Sequence, residues 1–223
     1  MICIRQMMEL DLDKILRGTD SKNLNFKKGE FIYTGDSILG GVYFLNSGKI
    51  KIESRIKKTN KPLLLWLMVS NSFFGITSFF SRNSLNTYKC SVVSEKASVK
   101  FIPSESFTTL IFTNTEFREF IFKLLYSRLD YIDNRKSYNS KITLRKKVAD
   151  DLIFFGSLQQ KNIVLEENQI QYTFLSASDL AEMNKSSKKV VNTVLDEFEN
   201  KKLIVRNGEQ ILIKNLEKLS RIV

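Results

Sequence analysis

Polar side chains with the clearest chemical pattern lie between residues 184 and 193. They begin at the last residue of the turn-like segment NKSS (184–187), and no acidic residue occurs among them before Asp196. The members are Ser187, Lys188, Lys189, Asn192 and Thr193. Lysine donates hydrogen bonds to guanine O6 and N7, and asparagine pairs with adenine, both in the DNA major groove. The chemistry that this cluster could perform is therefore DNA recognition, and a solvated helix face is the alternative interpretation of the same residues.

Catalysis and metal binding have little support in the same sequence. The chain has no histidine, which excludes Ser-His-Asp triads and histidine-held heme, and its two cysteines are too few for a four-ligand zinc site. No glycine-rich phosphate loop is present either. We therefore predict a non-enzymatic protein with no catalytic residues, no metal and no cofactor. Burial in a reducing cytoplasm is the expected state of Cys3 and Cys90, and a redox role for Cys90 stays open.

Two helices and a turn must hold the DNA-binding cluster. Ser176 and Asp179 form a capping box, so a first helix starts after Ser176 and its apolar stripe ends at Asn184. Ser186 or Ser187 then caps a second helix. The residues of this second helix that we expect to face the core are Val190, Val191, Val194, Leu195 and Phe198. The pattern predicts a helix-turn-helix whose second helix exposes its first turns.

The flanking segments extend this motif. A helix with Val148, Leu152 and Phe155 on one side is predicted before it, followed by a short hairpin over 162–174. After it, two alternating strands surround Asn207-Gly208, which is a strong hairpin signal, and Asn215 can cap a terminal helix. A hairpin directly after such a helix pair is a wing. Residues 139–223 are therefore predicted to be a winged helix-turn-helix DNA-binding domain.

The first half of the chain has a different texture. Five glycines punctuate short apolar runs within residues 26–56, and further strand-like runs follow at 62–69 and 87–102. Short strands at this spacing predict a small antiparallel β-barrel or jelly roll over residues 1–112, so the fold class is α+β.

A long helix should connect the two parts. Residues 105–137 contain no glycine or proline and have helical periodicity, which predicts a helix of roughly 25 residues, long enough to leave the barrel and pair with a copy of itself. A long helix that lies wholly against its own barrel is the alternative. We assign residues 113–138 to this dimerisation helix and place the domain boundary near 139. Its predicted dimer stripe is Phe117, Ile121, Leu124, Arg128 and Tyr131.

Charge and hydropathy indicate which partners and which location to expect. Lys+Arg total 35 against 24 Asp+Glu, a net charge of +11 that favours a polyanionic partner, although most of the excess lies in the first 139 residues. The N-terminus lacks the apolar core of a signal peptide, and no apolar run is long enough for a membrane span. We expect a cytoplasmic protein that binds double-stranded DNA and no membrane.

Taken in order, these parts resemble the Crp/Fnr family of bacterial transcription regulators. The similar segments are KKGEFIYTGD (27–36), YFLNSGKIKI (43–52) and LSASDLAEMNKSSKKVVNTVLDEFENKKLI (175–204). The resemblance implies a homodimer that binds a palindromic DNA site, with RNA polymerase as a further candidate partner. It implies a phosphate contact for Ser187 and base contacts for Lys188, Lys189 and Thr193, positions where the family commonly has Arg and Glu. The DNA site should therefore differ from the best-known family consensus.

Other contacts follow from the same placement. We expect Ser178, Lys185 and Asn207 to lie against the DNA backbone. The alternative is a ligand-binding or protein-interaction module that does not recognise DNA sequence. An apolar patch in place of Lys188, Lys189 and Asn192 would favour that alternative, and the sequence has none there.

The ligand site of the family is the largest departure. Cyclic-nucleotide-binding relatives have Gly-Glu and, about ten residues later, Arg followed by Ser or Thr; here the first pair is Gly75-Ile76, and Asn86-Thr87 or Thr87-Tyr88 stands at the second. Ile76 cannot accept a hydrogen bond, and a buried phosphate without its ion pair is costly. Cyclic AMP and cyclic GMP are therefore disfavoured. The effector is unknown: a small molecule or peptide in the Phe-rich barrel, or none, with Phe73, Phe74, Phe79 and Phe80 expected mainly as core.

Overall fold

A computed structural model describes residues 10–35, 39–55, 62–80, 88–136, 142–158, 171–173, 175–208 and 210–223. The described residues form two compact units, 10–120 and 121–223, and the division falls inside the long helix. This division lies earlier than the predicted boundary near 139. The later part of the long helix therefore belongs to the same unit as the helix-turn-helix.

The first unit is a double-sheet jelly roll. Its elements in chain order are α1 (Leu12–Arg17), β1 (Lys22–Lys27), β2 (Phe31–Tyr33), β3 (Gly41–Ser47), β4 (Lys49–Arg55), β5 (Pro62–Val69), β6 (Ser72–Phe74), α2 (Ile76–Phe80), β7 (Lys89–Val92), β8 (Lys96–Pro103) and α3 (Ser104–Thr113). One four-stranded antiparallel sheet has the order β1-β8-β3-β6 and the other β2-β7-β4-β5. The predicted jelly roll is confirmed, and the two sheets do not close into a barrel.

The jelly-roll core contains apolar residues from both sheets, and five consecutive residues of β3 are buried. Leu45, Ile50 and Val99 have 0% of their surface exposed. The turn from β3 to β4 depends on Gly48, which has φ +100°, and a Cβ there would lie 2.6 Å from the carbonyl oxygen of Lys96. Only glycine fits both the dihedral angle and the space, so this turn fixes how the two sheets are joined.

The segment 105–137, which has helical periodicity throughout, forms two helices. α3 ends at Asn114, whose backbone is extended, and α4 runs over Thr115–Lys136. The Oδ1 of Asn114 accepts a hydrogen bond from the backbone N–H of Phe117 at 2.9 Å, and Arg118 donates to the carbonyl of Ile111 at 3.2 Å. Asparagine thus starts a new helix by capping it, which an absence of glycine and proline does not reveal.

The face of α4 that we predicted for dimerisation is largely covered by the chain itself. Phe117, Ile121 and Leu124 are at most 5% exposed, and the Phe117 ring lies 5.7 Å from that of Phe73. Arg128 is half-buried. Within one chain these side chains offer little apolar surface to a second copy, and dimerisation through this stripe stays a prediction.

A different side of α4 carries exposed apolar groups. Phe122, Tyr126 and Leu129 are 54%, 56% and 60% exposed. They are spaced at i, i+4 and i+7, so they form one stripe along the helix.

The second unit contains the predicted winged helix-turn-helix, which is confirmed. Its further elements are α5 (Leu144–Leu158), β9 (Gln171–Thr173), α6 (Ala177–Met183), α7 (Lys188–Asn200), β10 (Ile204–Asn207), β11 (Gln210–Ile213) and α8 (Leu216–Ser220). Strands β10 and β11 pair as a hairpin around Asn207-Gly208, and β9 adds a third strand in the order β10-β11-β9. Asn215 caps α8. Most of the hairpin predicted over 162–174 lies outside the described residues.

Candidate nucleic-acid interface

The first helix of the motif begins at the predicted capping box. The Oγ of Ser176 accepts a hydrogen bond from the backbone N–H of Asp179 at 3.2 Å, and the Asp179 carboxylate accepts one from the backbone N–H of Ser176 at 2.7 Å. Leu180 and Ala181 on α6 are buried. The small side chain of Ala181 suits the close contact between α6 and α7.

A tight turn separates the two helices. Asn184 ends α6, Lys185 follows with φ +50°, and the backbone N–H of Ser186 donates to the carbonyl of Ala181 at 2.9 Å. Ser187 then caps α7, its Oγ accepting from the backbone N–H of Val190 at 3.3 Å. Local polar side chains thus define both ends of the turn, in agreement with the prediction that Ser186 or Ser187 caps the second helix.

The recognition helix α7 has one buried face and one exposed face. Val191, Val194, Leu195 and Phe198 are at most 7% exposed, as predicted. Val190 is 49% exposed, so its prediction as a core residue is wrong. At 100° per residue it lies about a quarter-turn from the centre of the buried stripe, beyond the reach of the core.

All five residues of the predicted DNA-contacting cluster are accessible on α7. Ser187, Lys188, Lys189 and Thr193 are exposed, and Asn192 is half-buried. The Thr193 hydroxyl donates to the carbonyl of Lys189 at 3.2 Å. Residues four apart on a helix lie on the same side, so Lys189 and Thr193 are neighbours, as are Lys188 and Asn192.

The acidic side chains of α7 are held in ion pairs away from its start. Asp196 and Glu199 both pair with Arg206 of the wing, and Glu197 pairs with Arg145 and Lys201. The hydrogen bond from the backbone N–H of Arg206 lowers the pKa of Glu199, and the Lys201 ammonium lowers the pKa of Glu197. Each of these three carboxylates is therefore paired with a cation, while the first turn of α7 contains no acidic residue.

The three predicted DNA-backbone residues lie at separate places in the unit that contains the recognition helix. Ser178 is exposed in the first turn of α6, Lys185 is exposed in the turn between helices, and Asn207 is exposed where the wing hairpin turns. The structure thus leaves each of them open to solvent, at three different loops or helix ends of one unit.

A polar cluster that the sequence did not predict lies beside the turn. Asp151 of α5 has no exposed surface, and its carboxylate accepts hydrogen bonds from the Tyr131 hydroxyl at 2.7 Å, the Arg135 Nη1 at 2.6 Å and the Asn184 Nδ2 at 2.7 Å. Burial raises the pKa of Asp151, and the guanidinium of Arg135 opposes that effect. The available signal was its spacing, because Asp151 lies three residues after Val148 and so on the apolar stripe of α5.

Tyr131 and Arg135, both on α4, make their contacts within the second unit. The Tyr131 ring stacks on Phe154 at 4.0 Å between centroids, so this predicted dimer residue packs within its own chain. The guanidinium of Arg135 is bound to Asp151 and to the carbonyl of Met183.

The region where the resemblance places a ligand lies only partly within the described residues. Ile76, at the position where the resemblance places an acidic acceptor, begins α2 and is 1% exposed. Tyr33, Tyr43 and Phe74 form an aromatic cluster in the core, with Tyr43 and Phe74 stacked at 5.2 Å. Arg82 and the Asn86-Thr87 pair lie outside the described residues. Phe73 and Phe74 are fully buried, whereas Phe80 is 51% exposed.

One further property concerns membranes. Within the residues that the structure describes, no helix is both long and apolar enough to cross a bilayer.

Comparison with known proteins identifies both parts of the chain. Residues 23–114 match the cyclic nucleotide-binding domain, and residues 154–222 match the Crp-like helix-turn-helix domain. The CRP-like cAMP-activated global transcriptional regulator of Mycobacterium tuberculosis is 24% identical over 199 residues, which cover 89% of this chain and 86% of that protein.

Solved structures share the fold at low sequence identity. FixK2 from Bradyrhizobium japonicum superposes with a TM-score of 0.67 at 14% identity, covering 89% of this chain and 95% of that one. A CRP/FNR-family transcriptional regulator from Thermus thermophilus gives a TM-score of 0.57 at 16% identity, covering 89% and 96%. With both domains matched in this order, the chain belongs to the Crp/Fnr family of DNA-binding transcription regulators.

Proposed function

We propose that this protein acts as a homodimer that recognises a palindromic DNA site and regulates transcription there. The observation that carries the proposal is the exposed, cationic first turn of α7, where Lys188 and Lys189 extend into solvent. In helix-turn-helix proteins the N-terminal residues of the second helix contact base edges in the major groove.

Each exposed side chain of α7 has a chemical role in this proposal. Lys188 and Lys189 would donate to guanine O6 and N7, Asn192 would pair with adenine, and Thr193 suits several bases. Ser187 lies at the start of the helix, where free backbone N–H groups and the helix dipole favour a phosphate. Ser178, Lys185 and Asn207 would add backbone contacts that fix orientation without recognising sequence.

Dimerisation is proposed through the exposed stripe of α4. Phe122, Tyr126 and Leu129 would pair with the same residues of a second copy, because burial of a stripe of this kind stabilises helix association. A twofold axis then duplicates α7. Two recognition helices about 34 Å apart contact half-sites one helical turn apart.

Control by cyclic AMP is not part of the proposal. The Mycobacterium tuberculosis relative is named as cAMP-activated, but here the position expected to accept the ribose hydroxyl is the buried Ile76. We propose an effector other than a cyclic nucleotide, or none. RNA polymerase is the further partner expected at a promoter.

Selection from randomised duplexes with the full-length protein tests this function. The selected sequences should converge on an inverted repeat with half-site centres about 10 base pairs apart, as twofold symmetry requires. A variant with Lys188→Ala and Lys189→Ala provides the comparison and should not enrich the same repeat. Recovery of no motif, or of the same motif by this variant, would contradict the proposal.

A further inference from the structure

We propose that Arg135, Asp151 and Asn184 are positioning residues for DNA recognition, which fix the helix-turn-helix turn, and with it α7, to the last turns of α4. The inference rests on the proposed DNA-binding function and adds to it the means by which the angle of α7 is set. All three side chains belong to the unit formed by residues 121–223.

Asp151 joins three helices at one buried carboxylate. Its Oδ1 accepts from Tyr131 and Arg135 of α4, and its Oδ2 accepts from Asn184 at the end of α6. Arg135 also reaches the turn directly, because its Nη2 donates to the carbonyl of Met183 at 2.8 Å and its Nη1 to the Asn184 Oδ1 at 3.3 Å. Both Arg135 and Asp151 therefore hold the same turn.

Burial makes this arrangement specific. Asp151 has no exposed surface, so its carboxylate cannot exchange these partners for water, whereas the Arg135 side chain is 23% exposed. A buried carboxylate that loses its partners is left as an uncompensated charge, which is strongly unfavourable. Arrangements of α4, α5 and the turn that break these hydrogen bonds are therefore disfavoured, so the bonds fix one placement of these three elements relative to each other.

Only a few residues separate this cluster from the DNA-binding residues, so the position of the turn determines the position of α7. The Nδ2 of Asn184 donates both to Asp151 and to the carbonyl of Leu180, and only Lys185 and Ser186 separate Asn184 from the α7 cap at Ser187. The proposed dimer stripe lies on α4, the helix that contains Arg135. The cluster thus connects the helix expected to form the dimer with the helix expected to enter the groove.

A positioning role makes a prediction that stability alone does not. Two recognition helices held at a fixed angle accept only one half-site spacing, whereas loosely held helices accept several. The readout is therefore the affinity of the full-length dimer for inverted repeats whose central spacing is changed by one or two base pairs. A single half-site duplex measures recognition without the spacing requirement.

Two variants and one matched control are available. Asp151→Asn keeps the size of the side chain and removes its charge. Asn184→Ala keeps the Arg135–Asp151 ion pair and the bond from Arg135 to Met183, and removes the hydrogen bonds of both charged groups to the Asn184 side chain. Asp150→Asn is the control, because Asp150 is on the same helix and forms the neighbouring ion pair with Lys146. The two variants should lower the preference for the best spacing by about fivefold, a usual size for coupling through such networks.

The half-site affinity should change less than the spacing preference, and the control should behave as the wild type. Unchanged spacing preference in both variants would overturn the proposal, even if their melting temperatures fall.

Amide hydrogen exchange of the free protein separates this proposal from the proposed function. Both variants should speed hydrogen exchange at the amides of Ser186 and Val190. The Ser186 amide donates to the carbonyl of Ala181 across the turn, and the Val190 amide donates to the Ser187 hydroxyl that caps α7. Unaltered exchange at both amides would also overturn the positioning role. If the wild type selects no inverted repeat, the proposed function fails, while the exchange rates still decide whether the cluster holds the turn.

Discussion

Charged side chains of this protein have two opposite environments. Lys188 and Lys189 are exposed at the start of α7, where they contribute little to folding and are available to a polyanion. Asp151 is completely buried and bonded to Arg135, so its charge serves the internal arrangement of helices. Substitution of an exposed lysine should therefore affect DNA binding alone, whereas substitution of Asp151 should affect both structure and binding.

The buried thiol of Cys90 leads to a prediction at the same scale. Burial raises the pKa of Cys90, because a thiolate in the jelly-roll core would lose its hydration. In a Cys3→Ser background, a disulfide reagent such as dithionitrobenzoate should label the folded protein on the order of a hundredfold more slowly than the urea-unfolded protein, since labelling requires opening of the fold.

The pH dependence gives the control for that measurement. An exposed thiol reaches its full labelling rate once the pH passes about 8.5, its ordinary pKa. The folded protein should stay slow to label on both sides of this pH, because the thiol of Cys90 is buried and reacts only when the fold opens. Rapid labelling with a plateau near that pH would contradict burial and favour a redox role.

Single residues could be predicted from the sequence where helical periodicity decides their position. The accessible face of α7 followed from the spacing of its buried valines and leucine, but Val190 did not, because it lies at the edge of that stripe. Asp151 was missed for another reason: its partners Tyr131 and Asn184 are distant in the chain, and periodicity carries no information about them.

Elements of the second unit begin and end at local polar signals. Ser176, Ser187 and Asn215 each cap a helix through a side-chain oxygen. Such caps satisfy backbone N–H groups that have no partner within the helix, which is why the helix starts could be placed from the sequence. The break at Asn114 uses the same chemistry, but uninterrupted helical periodicity on both sides hid it.

Removal of the capping box should weaken the helix-turn-helix by a measurable amount. Ser176→Ala should lower the free energy of unfolding by about 1 kcal/mol, because the backbone N–H of Asp179 loses its acceptor. Urea unfolding followed by circular dichroism measures it. Ser178→Ala, on the exposed side of the same first turn, is the control and should change stability by less than about 0.5 kcal/mol. Equal effects of the two substitutions would contradict the assigned cap.

At the scale of the whole molecule, α4 has apolar residues on more than one side. The sequence predicted that one of these sides pairs with a second copy, and the stripe chosen was the one whose Phe117, Ile121 and Leu124 the chain buries itself. Periodicity identifies apolar faces but does not tell which face the chain covers. The jelly roll, the winged helix-turn-helix and their order were predictable because glycine-marked turns, caps and the Asn207-Gly208 hairpin are local signals.

The exposed stripe therefore carries the prediction about assembly. Replacing both Phe122 and Leu129 by Glu should convert the dimer to a monomer, because two like charges would face each other across the twofold axis. Light scattering after gel filtration measures the mass. Glu116→Lys, an exposed change on the first turn of α4, should leave the dimer intact. A doubly substituted protein that remains dimeric would place the interface elsewhere.

The central claim is that the first turn of α7 contacts base edges, and a loss-of-contact titration tests it most directly. Wild-type protein and Lys188→Ala are titrated against the selected palindrome and against duplexes that differ from it at one symmetric base-pair position each. The variant should lose about 1 to 3 kcal/mol on the palindrome but bind one of the altered duplexes as well as the wild type does, because the contact is already missing there. A loss of the same size on every duplex would contradict the claim and reduce Lys188 to a contact with phosphate.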